Sequence, residues 1–389
     1  MDRLRLSRTD GVGPVTYRRL LRRFPTAAEA LDALPGLAKA GGRASAPVTP
    51  TAASLQREID QLHRLGAQFL FLDTPEYPSL LAWLDDAPPV ITVQGDLLCL
   101  QTRAVALVGA RNASANGQRM AETLARELAQ AGLVVVSGLA RGIDAAAHRG
   151  ALAATNGRTI AAIAGGLDVP YPAEHDDLQA RIAEGGAVIA EAPLGTAPQA
   201  RHFPRRNRVI AGLALGVVVV EAALRSGSLI TARLAQENGR ELFAIPGSPL
   251  DPRARGSNDL IRQGALLTET AADVIANLPD HPSRQGLSRD PLFAEGRSFD
   301  PAFATRPNQF AEPRSLFGAP DATSGETPAD LRQAHTQILE LLGPSPSSVD
   351  DLIRRCQFSA AAVMAVLLEL ELAGRVETLP GNRIALLSD

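Results

Sequence analysis

The chain has 389 residues, 45% of them hydrophobic and 21% charged, with a net charge of −3; that excludes a collagen-like fibre or a wholly disordered polypeptide and supplies apolar material for two or three globular domains. No apolar run approaches the roughly 20 residues of a spanning helix, and Met1-Asp2-Arg3-Leu4-Arg5 opens without an apolar signal segment, so a cytoplasmic protein with no membrane span is expected. The only cysteines, Cys99 and Cys356, lie far apart, which argues against a disulfide framework or a thiolate metal site, and neither metal nor cofactor is expected.

Residues 1–80 read as short helices, with apolar positions at helical spacing over Val15 to Phe24, Ala27 to Leu34 and Ser54 to Leu65. Gly41 to Ala53, rich in Gly, Ala, Pro, Ser and Thr, reads as a loop between them. Asp10-Gly11-Val12-Gly13-Pro14 before a basic helix resembles a helix-hairpin-helix turn, in which amides at a helix start face a phosphate; a plain helical domain of the sterile-alpha-motif kind is the reading taken for 1–80. Over 81–278 the pattern changes. Ala104 to Val108, Leu133 to Val136, Thr159 to Ala164, Ala187 to Ala190, Gly216 to Glu221 and Glu241 to Ile245 are short continuous apolar runs, as strands buried on both faces require. Amphipathic stretches alternate with them: Gln118 to Gln130, Asp144 to Ala154, Leu178 to Ile182, Asn207 to Ala214 and Ser228 to Asn238. The alternation predicts an α/β fold with a doubly wound, mostly parallel sheet, a Rossmann-like domain.

Residues 279–328, rich in Pro, Gly, Ser, Arg and Asp and without periodicity, read as a disordered linker. Within 329–389, Leu331 to Leu342, Val349 to Cys356 and Ala360 to Ala373 read as helices, followed by a hairpin about Pro380-Gly381-Asn382. Three helices and a hairpin fit a winged-helix domain. Its third helix offers no basic or amide side chain, only Glu369 and Glu371, so the domain is expected to serve protein contact or to be dispensable for DNA binding, without base readout.

Ligands of an open α/β sheet bind beyond the carboxyl ends of the strands. There the sequence offers Gly109-Ala110-Arg111-Asn112-Ala113-Ser114, Ser137-Gly138-Leu139-Ala140-Arg141-Gly142-Ile143-Asp144 and Gly165-Gly166-Leu167-Asp168, glycines and arginines beside helix starts that suit an anion. Arg201-His202-Phe203-Pro204-Arg205-Arg206-Asn207-Arg208 places four arginines and one aromatic ring just before an apolar helix, a combination that grips phosphates and stacks on bases. No Gly-x-Gly-x-x-Gly follows the first strand, which disfavours a dinucleotide cofactor, and the single lysine, Lys39, is followed by Ala40, which excludes a Walker A ATPase. Asp144 and His148 share a helix face as an acid/base pair would, although that spacing more often only stabilises a helix. Glu174-His175-Asp176-Asp177 has metal-ligand side chains without a second histidine at ligand spacing.

These motifs, with Tyr171-Pro172, Val209 to Leu213, Ser226-Gly227-Ser228-Leu229-Ile230-Thr231-Ala232, Gly239 to Gly247 and Gly256 to Ala265, together resemble the DNA-processing protein A family, also called Smf, over about residues 65 to 278. The resemblance implies a bacterial protein of natural transformation that binds and protects single-stranded DNA and loads a RecA-type recombinase onto it, as a homodimer and without enzymatic activity. It implies a DNA pocket of Gly109, Arg111, Ser114, Gly138, Phe203, Arg205, Asn207 and Arg208. The chain departs from the family after Tyr171-Pro172, where Ala173 and His175 stand in place of a lysine and an asparagine. The rival expectation is a nucleotide phosphoribohydrolase of the lysine-decarboxylase-like group, whose Pro-Gly-Gly-x-Gly-Thr-x-x-Glu loop is absent here.

Overall fold

The computed structural model describes residues 1–279, 328–342, 345–356, 358–379 and 382–387, so the linker expected over 279–328 lies almost wholly outside the described residues. The chain forms two compact units. One holds Met1–Thr9, Gly13–Arg18 and the chain from Thr49 onward through the sheet; the other holds Asp10–Val12, Arg19–Val48 and the C-terminal segment.

Helices α1 (Asp2–Ser7), α2 (Pro14–Arg23), α3 (Ala27–Ala40) and α4 (Ala52–Arg64) come first. Thr26 and Thr51 cap α3 and α4 by accepting amide hydrogens three residues on. The helical pattern expected over Ala27 to Leu34 runs on to Ala40 through Pro35, because burial of Leu34, Leu37 and Ala38 outweighs the hydrogen bond lost at the proline. The segment 1–80, expected to be helical, also contains a strand, β1 (Ala67–Phe71). After α5 (Ser79–Ala82), β2 (Val90–Gly95) pairs antiparallel with β1, Ala67 facing Gln94 and Phe71 facing Val90.

The alternating part follows as expected. It comprises β3 (Ala104–Val108), α6 (Ala115–Gln130), β4 (Val134–Ser137), α7 (Ile143–Leu152), β5 (Thr159–Ile163), α8 (Asp176–Gly185), β6 (Ala187–Ala190), α9 (His202–Leu213), β7 (Gly216–Val219), α10 (Ser228–Glu237) and β8 (Glu241–Ala244). Three elements not read from the sequence complete it: α11 (Arg255–Arg262), β9 (Leu266–Leu267) and α12 (Ala271–Asn277). The nine strands run in the order β1-β2-β6-β5-β4-β3-β7-β8-β9, parallel from β6 to β9 with the antiparallel pair β1 and β2 at one edge. Side chains alternate along β3: Ala104, Ala106 and Val108 pack with α9 and α10, while Val105 and Leu107 pack with α6 and α7. Strand order reverses between β3 and β7, so the carboxyl ends of β3 and its neighbours border a crevice.

In the second unit, α13 (Pro328–Leu341), β10 (Ser347–Ser348), α14 (Val349–Arg355), α15 (Ala360–Leu372), β11 (Val376–Leu379) and β12 (Arg383–Leu386) form three helices and a sheet of order β10-β12-β11. Ile338, Leu352, Val363, Val366, Leu367 and Ile384 make its core.

Helices α6 and α7 approach backbone to backbone. A Cβ added at Gly150 would overlap the carbonyl oxygen of Glu122, whose Cα would stand 2.8 Å away. Gly150→Ala is therefore expected to lower stability by about 1–3 kcal/mol, the cost of overpacking, although intrinsic helix propensity alone would raise it by about 1 kcal/mol. The urea midpoint decides between the two signs.

Candidate functional site

Turns after β3, β4 and β5 and the first turns of α9 enclose a cavity of about 350 Å³ lined by Arg111, Gly138, Arg141, Gly165, Tyr171, Phe203 and Arg206, among others. That is the size of a small ligand site. The Phe203 ring is its wall. The Arg111 guanidinium lies over it at 4.6 Å from the centroid, that of Arg206 at 5.9 Å, and the Tyr171 ring is 5.6 Å away, tilted by 57°.

Helical phase sorts the basic run. The structure places it on α9 itself rather than ahead of a helix, so residues three apart share a face. Phe203 and Arg206 meet the cavity. Arg205 and Arg208 instead meet Glu191 beyond β6: Arg208 Nη2 donates to both carboxylate oxygens at 2.7 Å, and Arg205 Nε donates to one at 3.1 Å. Asn207 accepts from Arg206 Nε at 3.2 Å and donates to the Gly227 carbonyl at 3.4 Å, tying α9 to the start of α10.

Arg206 is a buried cation, 7% exposed. Its Nη1 donates to the carbonyls of Gly138 and of Ala162, the latter at 2.7 Å. Burial pushes its pKa down to about 10, with Asp144 opposing that fall and Arg111 adding to it, so it remains charged at neutral pH. Burial raises the Asp144 carboxyl, and Arg206 is the main group holding it down.

Of the eight residues expected in the pocket, the structure brings together Arg111, Gly138 and Phe203 and leaves the other five outside the cavity lining. Gly109 is needed for packing, since a Cβ there would stand 2.6 Å from Ile143 Cγ1. Ser114 caps α6 by accepting from Gly117 N at 2.9 Å, and its own amide and hydroxyl donate to Glu221. That carboxylate fills the helix-start position where an incoming anion was expected. Arg205, Asn207 and Arg208 hold α9 in place as described. Arg206, Arg141 and Tyr171 are the charged and aromatic cavity residues that the expected set lacked. A signal existed for Arg206, which stands one helical turn after Phe203.

Arg141 extends over the rim, pairing with Glu174 through two 2.6 Å contacts. At the departure from the family pattern, His175 turns inward and Nδ1 donates to the Leu139 carbonyl at 2.9 Å. Leu139 itself is buried with φ +55, a strained turn held by these contacts. Among the described residues no three His, Cys, Asp or Glu side chains gather to hold a metal ion.

Residues 68–279 match the family profile described as DNA recombination-mediator protein A, residues 1–60 the DprA-like N-terminal HHH domain, and residues 322–382 the DprA winged helix domain. Protein Smf of Escherichia coli is 36% identical over 334 residues, 86% of this chain and 81% of that protein. The chain belongs to the DNA recombination-mediator protein A family. Protein Smf of Synechocystis is 32% identical across 97% of this chain and 96% of its own length. The X-ray structure of DNA processing protein A from Streptococcus pneumoniae aligns with a TM-score of 0.56 and 42% identity, covering 60% of this chain and 80% of that one. The match over 1–60 is to an HHH domain, which replaces the sterile-alpha-motif reading; the turn Asp10 to Pro14 carried that signal.

Asp144 and His148 do not work as a pair. His148 is fully buried, with Nδ1 at 2.7 Å from Thr159 Oγ1, whose own hydrogen goes to the Val135 carbonyl. The ring is therefore protonated at Nδ1, and Nε2 is buried with no partner. Burial, reinforced by His175, Arg206 and Arg149, pushes its pKa down to about 3.

Two expectations follow from these networks. Arg208→Met breaks a pair whose side chains are only 7% and 15% exposed, at a cost of about 3 kcal/mol read as a lower urea midpoint. Since the unfolded chain takes a proton on His148 near pH 6.5 and the folded one only near 3, stability falls as pH drops through that window, by up to about 1.4 kcal/mol per pH unit. His148→Gln removes that one-proton slope, measured as the difference between variant and wild type across the same pH series.

Proposed function

We propose that this cavity binds single-stranded DNA. The observation that carries the reading is the Arg111 guanidinium stacked at 4.6 Å on Phe203 with the buried Arg206 behind it. A base in a duplex already has neighbours on both faces, so an aromatic platform inside a cavity serves an unstacked strand. Phosphates supply the complementary charge: Arg111 is exposed and, among the described residues, has no carboxylate in ion-pair range. Gly138 brings backbone close to the strand, while Gly109, Ser114, Arg205, Asn207 and Arg208 shape the site from behind. Contact through phosphate and stacking makes binding tolerant of sequence, as a mediator acting on any incoming strand requires.

On this reading the protein protects single strands and loads a RecA-type recombinase onto them during natural transformation, in the cytoplasm and as a homodimer, with no catalytic step of its own. Membership of a recombination-mediator family supports the mediator role. No helix among the described residues is long and apolar enough to cross a membrane.

Fluorescence anisotropy with a labelled single strand across a salt series tests the site. Arg111→Ala is expected to weaken binding about tenfold or more and to reduce the salt slope by about 0.7, one phosphate's share for a single strand. Phe203→Ala removes stacking of about 1–3 kcal/mol and leaves the slope unchanged. Wild-type binding by both variants would place the strand elsewhere, and release of free base from nucleoside monophosphates would favour the phosphoribohydrolase reading instead. Strand exchange by a RecA-type recombinase on protein-coated single strands, with and without this chain, tests the loading step.

A further inference from the structure

In a winged helix the third helix is the one presented to a DNA groove. Here α15 is apolar on all sides save Glu369 and Glu371: Ala362, Val363, Val366, Leu367, Leu368, Leu370 and Leu372 are buried, which no helix lying in a wet, charged groove would need. Its own domain covers part of that surface. Helix α3 packs against it as well.

Gly41, the residue after α3, shows how close this contact is. Its φ of −72 is ordinary helical backbone that any residue adopts, so its conformation does not call for glycine. A Cβ there would overlap the Glu369 carbonyl oxygen and stand 2.9 Å from the Ala373 Cβ. Glycine is required only by α15. Two charged contacts flank it. Arg19 pairs with Glu371 at 3.1 Å, with side chains 8% and 13% exposed. Arg43 donates to the Leu372 carbonyl at 3.4 Å and pairs with Asp10 at 2.8 Å, a cation at the end of α15 where the helix dipole favours one. The two acidic side chains of α15 thus lie in or beside the interface, and burial raises the Glu369 carboxyl while Arg23 opposes the rise.

We infer that the third helix of the winged-helix domain is a protein-docking helix whose occupant is residues 19–48 of the same chain, so that the domain holds the N-terminal helices instead of reading duplex DNA. The inference stands apart from the single-strand cavity, which shares none of these residues. It predicts that the two ends of the chain stay together without the covalent connection between them.

The test uses the full chain with a protease site placed within residues 280–327. After cleavage, the fragment carrying α13 to β12 is expected to co-elute with the remainder in gel filtration. Gly41→Leu and Glu371→Arg should each cut co-elution at least tenfold. Combining Arg19→Glu with Glu371→Arg should restore it, which separates a lost contact from a misfolded variant. The assignment fails if the wild-type fragment leaves freely, or if both single variants retain it. It also fails if added duplex DNA releases the fragment, marking a groove reader, or if mixed tagged and untagged chains show the occupant to come from a second copy.

Discussion

The candidate site depends on one desolvated cation. Arg206 reaches from α9 under the sheet edge to the carbonyls of Gly138 and Ala162, at the ends of β4 and β5. Without a positive charge there, the carbonyls of Gly138 and Ala162 would lose the guanidinium that donates to them, and the buried Asp144 carboxyl, which accepts from the Ala140 amide, would lose its main stabilising cation. With it, α9 is fixed in rotation, Phe203 one turn earlier faces the cavity, and Arg111 finds a ring to stack on. The arrangement is made before any ligand arrives, so its ordering cost is met by folding.

Internal carboxylates decide where that cavity opens. In a dinucleotide-binding sheet the first strand-to-helix turn receives a pyrophosphate. Here Glu221 occupies the corresponding helix start, bonded to Ser114, with its Cδ 2.5 Å from where a Gly117 Cβ would be. Glu191 likewise absorbs Arg205 and Arg208. The neighbouring space along the sheet, bordered by the ends of β3, β4 and β5, is left with net positive side chains around an aromatic ring. On the proposed reading, a sheet common to many nucleotide enzymes is thereby suited to an extended anion.

The central sheet was legible in the sequence because buried parallel strands must be continuous apolar runs, and Ala104 to Val108 or Ala187 to Ala190 can be little else. The antiparallel edge was not. Ala67 to Phe71 continues the apolar pattern of α4, and only its pairing with Val90 to Gly95 makes it a strand. In the site, glycine turns and an arginine-rich run identify the right sheet edge, but composition carries no phase. Whether Arg206 or Arg208 faces the cavity is settled by where α9 begins. The start at His202 is set by tertiary contacts, without a side-chain cap to mark it in the sequence. The partners of the charges were equally hidden, since Glu191 and Glu221 stand in unremarkable strand ends whose positions acquire meaning only in the folded sheet.

The arginines around the cavity differ in how readily they can turn to a phosphate. Arg208 is committed: its pair with Glu191 is nearly dry, and withdrawing it would leave a largely buried carboxylate to the exposed Arg205 alone. Arg206 is also committed, yet its charge is felt in the cavity because the surrounding medium screens it poorly. Arg141 and Glu174 are 61% and 53% exposed, a pair that water and salt already weaken. A phosphate at the rim can therefore take Arg141 from Glu174 at small cost, whereas Arg111, stacked on Phe203, has no carboxylate among the described residues to leave. On the proposed reading, a strand entering the cavity meets one fixed field, one guanidinium without a carboxylate partner and one exchangeable pair. On that reading the tightest grip falls beside Phe203 and the rim stays adjustable to successive phosphates.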